Sequence, residues 1–160
     1  MKANELMIGD WVNFYSKHIG YGVGVIAGIE PREGSFEPST FSVFQYVSAD
    51  ADIKTNAFYG IRRDAIEPIP LTETILKENG WTDWHDNSTI ARSCSFSIDE
   101  HTSICFQQII GSQEIYTQIS HCGAGSFELR KFLKYVHELQ HALRFCGIEK
   151  EISIPKEIEL

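Results

Sequence analysis

The stretch Phe127-Glu128-Leu129-Arg130-Lys131-Phe132-Leu133-Lys134-Tyr135-Val136-His137-Glu138-Leu139-Gln140-His141-Ala142-Leu143-Arg144-Phe145-Cys146 decides how this chain is read. Leu129, Phe132, Val136, Leu139, Leu143 and Cys146 recur at alternating spacings of three and four residues. That is the period of one apolar helix face. Ser126 stands where an N-cap is wanted, and Gly147 where a chain leaves a helix. The spacing predicts one long helix from Ser126 to Cys146.

Inside this stretch lies His137-Glu138-Leu139-Gln140-His141. On a helix such a run sets two imidazoles one turn apart, able to share a zinc ion, with the glutamate activating a bound water. At about 100° per residue, however, His137 and His141 fall opposite the centre of the apolar stripe. Arg130, Lys134 and Arg144 share that far face, and Leu133 lies between the two faces. Three cations raise the cost of placing a divalent ion there. No histidine follows His141, and only Glu149, Glu151, Glu157 and Glu159 remain as downstream carboxylate ligands. The leading reading is therefore a partner-facing helix surface made of Arg130, Lys134, His137, His141 and Arg144. The alternative is a zinc-dependent hydrolase with His137 and His141 as ligands and Glu138 as the catalytic base.

Working back from the helix, Ile90–Ile98, Ser103–Ile110 and Glu114–Ile119 read as strands, with turns at Asp99–His101 and Gly111-Ser112. Ile152 and Ile154 suit an edge strand or an extended tail. Thr72 is a good N-cap and Gly80 a good stop for a short helix over Glu73–Asn79 that buries Ile75 and Leu76. Trp81 and Trp84 follow, then a polar run, Asp83–Thr89, that reads as a linker.

The first seventy residues read as short strands. These are Trp11–Tyr15, Tyr21–Ile29, Phe41–Val47, Phe58–Ile61 and a fifth starting at Ala65-Ile66, with a loop over Glu30–Thr40; Gly20, Gly22, Gly24 and Gly28 suggest that the second is strongly bent or bulged. Such strands fit a small, partly open barrel resembling SH3-like folds. The expected class is α+β, with an SH3-like lobe at 1–70, a linking helix and loop at 71–89, and an antiparallel sheet with the long helix at 90–160.

Composition narrows the function classes. The chain has 160 residues, 42% hydrophobic and 22% charged, with a net charge of −8, as an ordinary globular protein would. Thirteen acidic and seven basic residues precede residue 90, which disfavours phosphate-backbone binding as the main activity. Nucleic-acid binding through Arg130, Lys134 and Arg144 stands as a further alternative. No secretion signal or apolar span of bilayer length is present, so the expected location is cytoplasmic, without membrane contact. Cys94, Cys105, Cys122 and Cys146 form no Cys-x-x-Cys pair and read as free thiols.

Weaker constellations have simpler readings. Gly123-Ala124-Gly125-Ser126 offers backbone N–H groups to an anion at a helix start, but a capped turn explains it as well. His101, Cys105, His121 and Cys122 match no common zinc spacing. Nothing in the sequence orients Cys122 toward His137 as nucleophile and base. Trp11, Phe14, Tyr15, Tyr21, Phe44, Tyr46 and Tyr59 suit base or sugar stacking, yet a lobe this small needs aromatics as core.

Three segments carry a resemblance: Met1-Lys2-Ala3-Asn4-Glu5-Leu6-Met7-Ile8-Gly9-Asp10-Trp11-Val12, Ile66-Glu67-Pro68-Ile69-Pro70-Leu71-Thr72 and Tyr135-Val136-His137-Glu138-Leu139-Gln140. Together they resemble a family of uncharacterised proteins from gut Bacteroidales and their prophages or mobile elements. In that family the last run often continues with asparagine at the position of His141. The resemblance therefore implies a shared helix rather than a shared zinc motif, and no known activity, substrate or catalytic residue. The expected function is a non-enzymatic binding or interaction module, prophage-associated, with a protein partner or a second copy of itself and no cofactor.

Overall fold

The computed structural model describes residues 6–31, 38–45, 56–86, 89–122 and 127–155. It is α+β, built mainly of antiparallel sheet with two short helices. The chain divides into two compact units, the first ending at Ile69 and the second starting at Pro70.

The first unit is a five-stranded antiparallel sheet. In chain order its strands are β1 (Trp11–Ser16), β2 (Gly20–Pro31), β3 (Pro38–Gln45), β4 (Ala57–Arg62) and β5 (Ile66–Pro68), and across the sheet they run β4-β3-β2-β1-β5. A 3-10 turn over Arg63–Ala65 delivers the chain into β5. Alternation along β1 sends Val12 and Phe14 into a core with Ile26, Phe41, Val43, Ile61 and Ile66. Trp11, Asn13 and Tyr15 take the other face.

The glycines of β2 act as the sequence suggested. The register with β3 slips between Ile26 and Gly28, leaving Ala27 as an extra residue in a bulge. At Gly24 the two strands approach so closely that a Cβ would lie 2.5 Å from the Phe44 carbonyl oxygen.

The expected SH3-like barrel is not closed. β4 and β5 are the two edges of the sheet, and no pairing joins them among the described residues. β5 is three residues long and ends in Pro68, which lacks a backbone N–H. The Ile66 N–H is taken by the Arg63 carbonyl, which leaves this strand little to offer a second neighbour. Tyr46 and Val47 of the third expected strand lie outside the described residues, as do positions 32–37 of the expected loop.

The second unit opens with helix α1 (Glu73–Glu78). Thr72 Oγ1 accepts the Ile75 N–H at 3.3 Å, Ile75 and Leu76 are buried, and Gly80 leaves the helix at φ +87°. A second five-stranded antiparallel sheet follows, of β6 (Trp84–Asp86), β7 (Ala91–Ser97), β8 (Thr102–Ile109), β9 (Ile115–His121) and β10 (Phe127–Leu133), ordered β10-β9-β8-β7-β6. One face carries Cys94, Ile104, Phe106, Ile115, Thr117, Ile119 and Leu133, all buried. The segment expected as a linker thus contains β6, paired with β7 from Trp84↔Cys94 to Asp86↔Arg92. The tail forms no strand over residues 151–155. It is held by Asn79, whose side chain donates to the Ser153 carbonyl and accepts the Ser153 N–H, both at 2.8 Å.

The single long helix is the main correction. Its first half is strand β10, paired with β9 along seven residues from Phe127↔His121 to Leu133↔Ile115. Only Val136–Phe145 is helical, as α2. Phe127, Leu129, Lys131 and Leu133 alternate with Glu128, Arg130 and Phe132, so the same residues also satisfy a period of two. The edge of β9 offers a ladder of backbone partners, and that tertiary gain overrides local helix preference. Phe132, placed above in the apolar stripe, lies on the outer sheet face, 5.2 Å from the Tyr116 ring. The Ser126 cap and the Gly123–Ser126 loop lie outside the described residues.

Candidate functional site

The outer face of the first sheet borders a pocket of about 290 Å³, lined by residues of β1, β2, the end of β4, the 3-10 turn and β5, with the core residue Phe14 contributing from the other side of β1. Pairing explains how they meet. Tyr15 faces Tyr21 across the β1–β2 ladder, and their rings meet edge to face with centroids 5.2 Å apart. Both rings stay largely exposed. Two residues back along β1, and so on the same face, Asn13 is the partner of Glu67 on β5. Arg62 and Asp64 close the rim. Their side chains form a two-pronged ion pair, with Nε to Oδ1 at 3.1 Å and an outer guanidinium nitrogen to Oδ2 at 2.9 Å.

Asn13 is the unusual member. It is only 8% exposed, and its Oδ1 has no hydrogen-bond partner among the described residues. An unmet buried acceptor costs about 1–3 kcal/mol. Glu67 is exposed and has no ion-pair partner among the described residues. With Arg62 engaged by Asp64, the lining carries a net negative charge. The described lining contains no histidine, cysteine or serine. It offers aromatic faces, an amide and carboxylates.

Comparison with protein-family models, curated proteins and solved structures finds no match. The chemistry of the site therefore has to be argued from its own residues.

The residues singled out around the His-Glu-x-x-His run are dispersed. Arg130 is exposed on β10 and pairs with Glu128 at 2.9 Å. Lys134 precedes the helix, and its ammonium sits 5.6 Å from the Tyr135 ring centroid. Arg144 is exposed on α2. His137 is 3% exposed rather than outward-facing. It stacks on Tyr135 at 5.7 Å and meets the half-buried His141 edge to face at 5.7 Å. The five therefore do not form one face. The wheel that placed them together assumed a helix through Arg130 and Lys134, where the chain is extended. Once the helix starts at Val136, its buried arc spans Val136, His137, Leu139, Gln140, Ala142 and Leu143 and takes in His137.

Glu138 has a structural role that its motif position conceals. Its Oε2 accepts the N–H groups of Lys134 at 2.7 Å and Tyr135 at 3.1 Å, so it caps the start of α2. A carboxylate committed to two backbone donors is poorly placed to take a proton from a metal-bound water. Among the described residues no three His, Cys, Asp or Glu side chains gather into a metal-holding group.

His101 and His121 do come together, with ring centroids 6.1 Å apart, and His121 lines a larger cavity of about 520 Å³ in the second unit. His121 Nδ1 is bonded to Thr102 Oγ1 at 3.0 Å, and its ring stacks on Phe127. Trp81 Nε1 is buried there without a hydrogen-bond partner among the described residues, while the Lys150 ammonium sits over the Trp81 ring. Asp99, Glu149 and Lys150 mix both signs of charge, so this cavity offers a ligand no consistent complement.

The sequence alone identified Tyr15, Tyr21 and Tyr59 as aromatics able to stack, and weighed them as core. All three are exposed, whereas Trp11 and Phe14 are buried. Tyr46 lies outside the described residues. The available signal was alternation: Trp11, Asn13 and Tyr15 share one face of β1, and an asparagine inside a short strand is disfavoured unless it has a task.

Proposed function

We propose that this chain is a non-enzymatic binding module whose docking place is the aromatic pocket on the outer face of β1, β2 and β5. The observation that carries the reading is Asn13 Oδ1, a buried acceptor without a partner among the described residues, beside two exposed tyrosines and the exposed Glu67 carboxylate. Buried polar groups are nearly always satisfied, and an exception calls for a ligand or a function. The occupation of Glu138 in capping supports a structural account of the motif. The setting we infer is the bacterial cytoplasm, in association with a prophage or another mobile element. That setting rests on the resemblance of the terminal and central segments, and agrees with no described helix being long and apolar enough to cross a membrane.

The test is amide-resolved NMR of the isotopically labelled full chain against a panel of blocked tripeptides with acidic, basic, neutral polar and aromatic central residues. Chemical-shift changes clustered on Asn13, Tyr15, Tyr21 and Ala65 are expected for at least one class. Silence of those four amides throughout the panel refutes the reading.

A further inference from the structure

We infer that the pocket takes the guanidinium of an arginine side chain, presented by a basic segment of a partner protein. This rests on the binding-module reading and specifies its ligand.

The pocket asks for a donor and for positive charge. Glu67 is exposed, and Asn13, buried beside it, has an amide oxygen without a partner among the described residues, so a ligand that donates N–H and carries positive charge suits this lining. Glu67, the register partner of Asn13 on β5, adds a carboxylate on the same sheet face. Side chains of directly paired residues start about 5 Å apart, a span that one planar fork of N–H donors bridges. The guanidinium has five such donors in a rigid plane, whereas an ammonium is a compact point charge.

The remaining lining suits the same group. Tyr15 and Tyr21 meet edge to face, which leaves ring surface open to solvent at both positions. A planar cation stacks on such surface, and arginine does so more often than lysine. Arg62, the one cation of the described lining, is already gripped by both oxygens of Asp64. Phosphate or carboxylate ligands would meet Glu67 and the orphaned amide oxygen, both acceptors. The chain's net charge of −8 favours encounter with a basic partner.

The experiment titrates the labelled full chain with blocked glycyl-arginyl-glycine, its citrulline counterpart, its lysine counterpart and its glutamate counterpart. Citrulline keeps the shape of arginine and removes its charge. The expected result is shifts at Asn13, Tyr15, Tyr21 and Ala65 with the arginine probe, roughly tenfold weaker binding of citrulline, and weakening by added salt. Glu67→Gln, a change at an exposed position, should weaken the arginine probe several-fold and leave the citrulline probe unchanged. Asn13→Asp adds a negative charge with little change of shape and should tighten the arginine probe.

Equal binding of citrulline and arginine at these amides overturns the cation assignment while leaving the pocket as a docking place. Stronger binding of the glutamate probe also overturns it. Silence of the four amides with all four probes overturns this inference and counts against the docking reading as well.

Discussion

Glu138→Ala removes the acceptor of two backbone N–H groups at the start of α2. In the folded protein those bonds are 2.7 Å from Lys134 and 3.1 Å from Tyr135. Losing a helix cap costs about 1 kcal/mol, and losing negative charge at a helix N-terminus costs about 0.3–1 kcal/mol more. Lys134 is exposed, so its N–H finds water; Tyr135 is half-buried, so its N–H is replaced less well. The expected destabilisation is about 1.5–2 kcal/mol. With a urea slope of roughly 1.5 kcal/mol/M, the midpoint falls by about 1 M. Glu138→Gln keeps an acceptor and loses the charge, and should cost about half as much. Equilibrium urea unfolding, followed by the fluorescence of the fully buried Trp81 in the same unit, measures both. Hydrogen exchange localises the loss, since the Tyr135 amide should lose protection first. An alanine variant with a midpoint within about 0.2 M of the parent would refute the capping argument. A glutamate kept for catalysis alone would leave stability unchanged.

Gly24→Ala places a Cβ 2.5 Å from the Phe44 carbonyl oxygen and 2.6 Å from Val43 Cγ1. Backbone cannot yield cheaply, so we expect about 3 kcal/mol of destabilisation and a thermal midpoint lower by about 10 °C or more; an unchanged melting curve contradicts the close approach. The Asp99 carboxyl is held below its usual value of 3.8, first by the His101 N–H and then by the Thr102 hydroxyl and N–H. A depressed folded value means that the carboxylate's contribution is present above pH 3.8 and is lost as pH falls through the lower folded value. The His101 and Thr102 amide resonances should therefore titrate below pH 3.8, and Asp99→Asn should abolish that titration; a midpoint above 3.8 reverses the sign and refutes it. Burial raises the thiol pKa values of Cys94 and Cys146, whereas Cys122 is exposed. Alkylation of the native chain at mild alkaline pH should label Cys122 well before Cys94, as peptide mass mapping would report, and equal rates would contradict the burial.

Much of the fold was legible because local chemistry fixed it. Thr72 and Gly80 bracket α1 by satisfying and then ending its backbone hydrogen bonds. The alternation around Cys94 and Ile104, with Gly111 at φ +87°, set out β7, β8 and the turn into β9. The glycines of β2 announced a bulge. Trp84–Asp86 was misread because three polar or aromatic residues carry no period, and only the edge of β7 makes them a strand. The site was legible as a list of tyrosines and not as a place. Asn13 is far in the chain from Asp64 and Glu67, and only the β1–β5 register brings it to their rim.

By itself the sequence determined which segments are apolar, where turns must fall and how charge is distributed, since these depend on neighbours within a few residues. Tertiary structure decided whether Phe127–Leu133 would be helix or strand, because its apolar spacing satisfies both periods and the free edge of β9 settles the choice. The same decision moved the start of α2 to Val136, turned His137 inward, and gave Glu138 two backbone donors to hold. Periodicity reports which side of an element is apolar; it does not report which neighbour will be there to cover it.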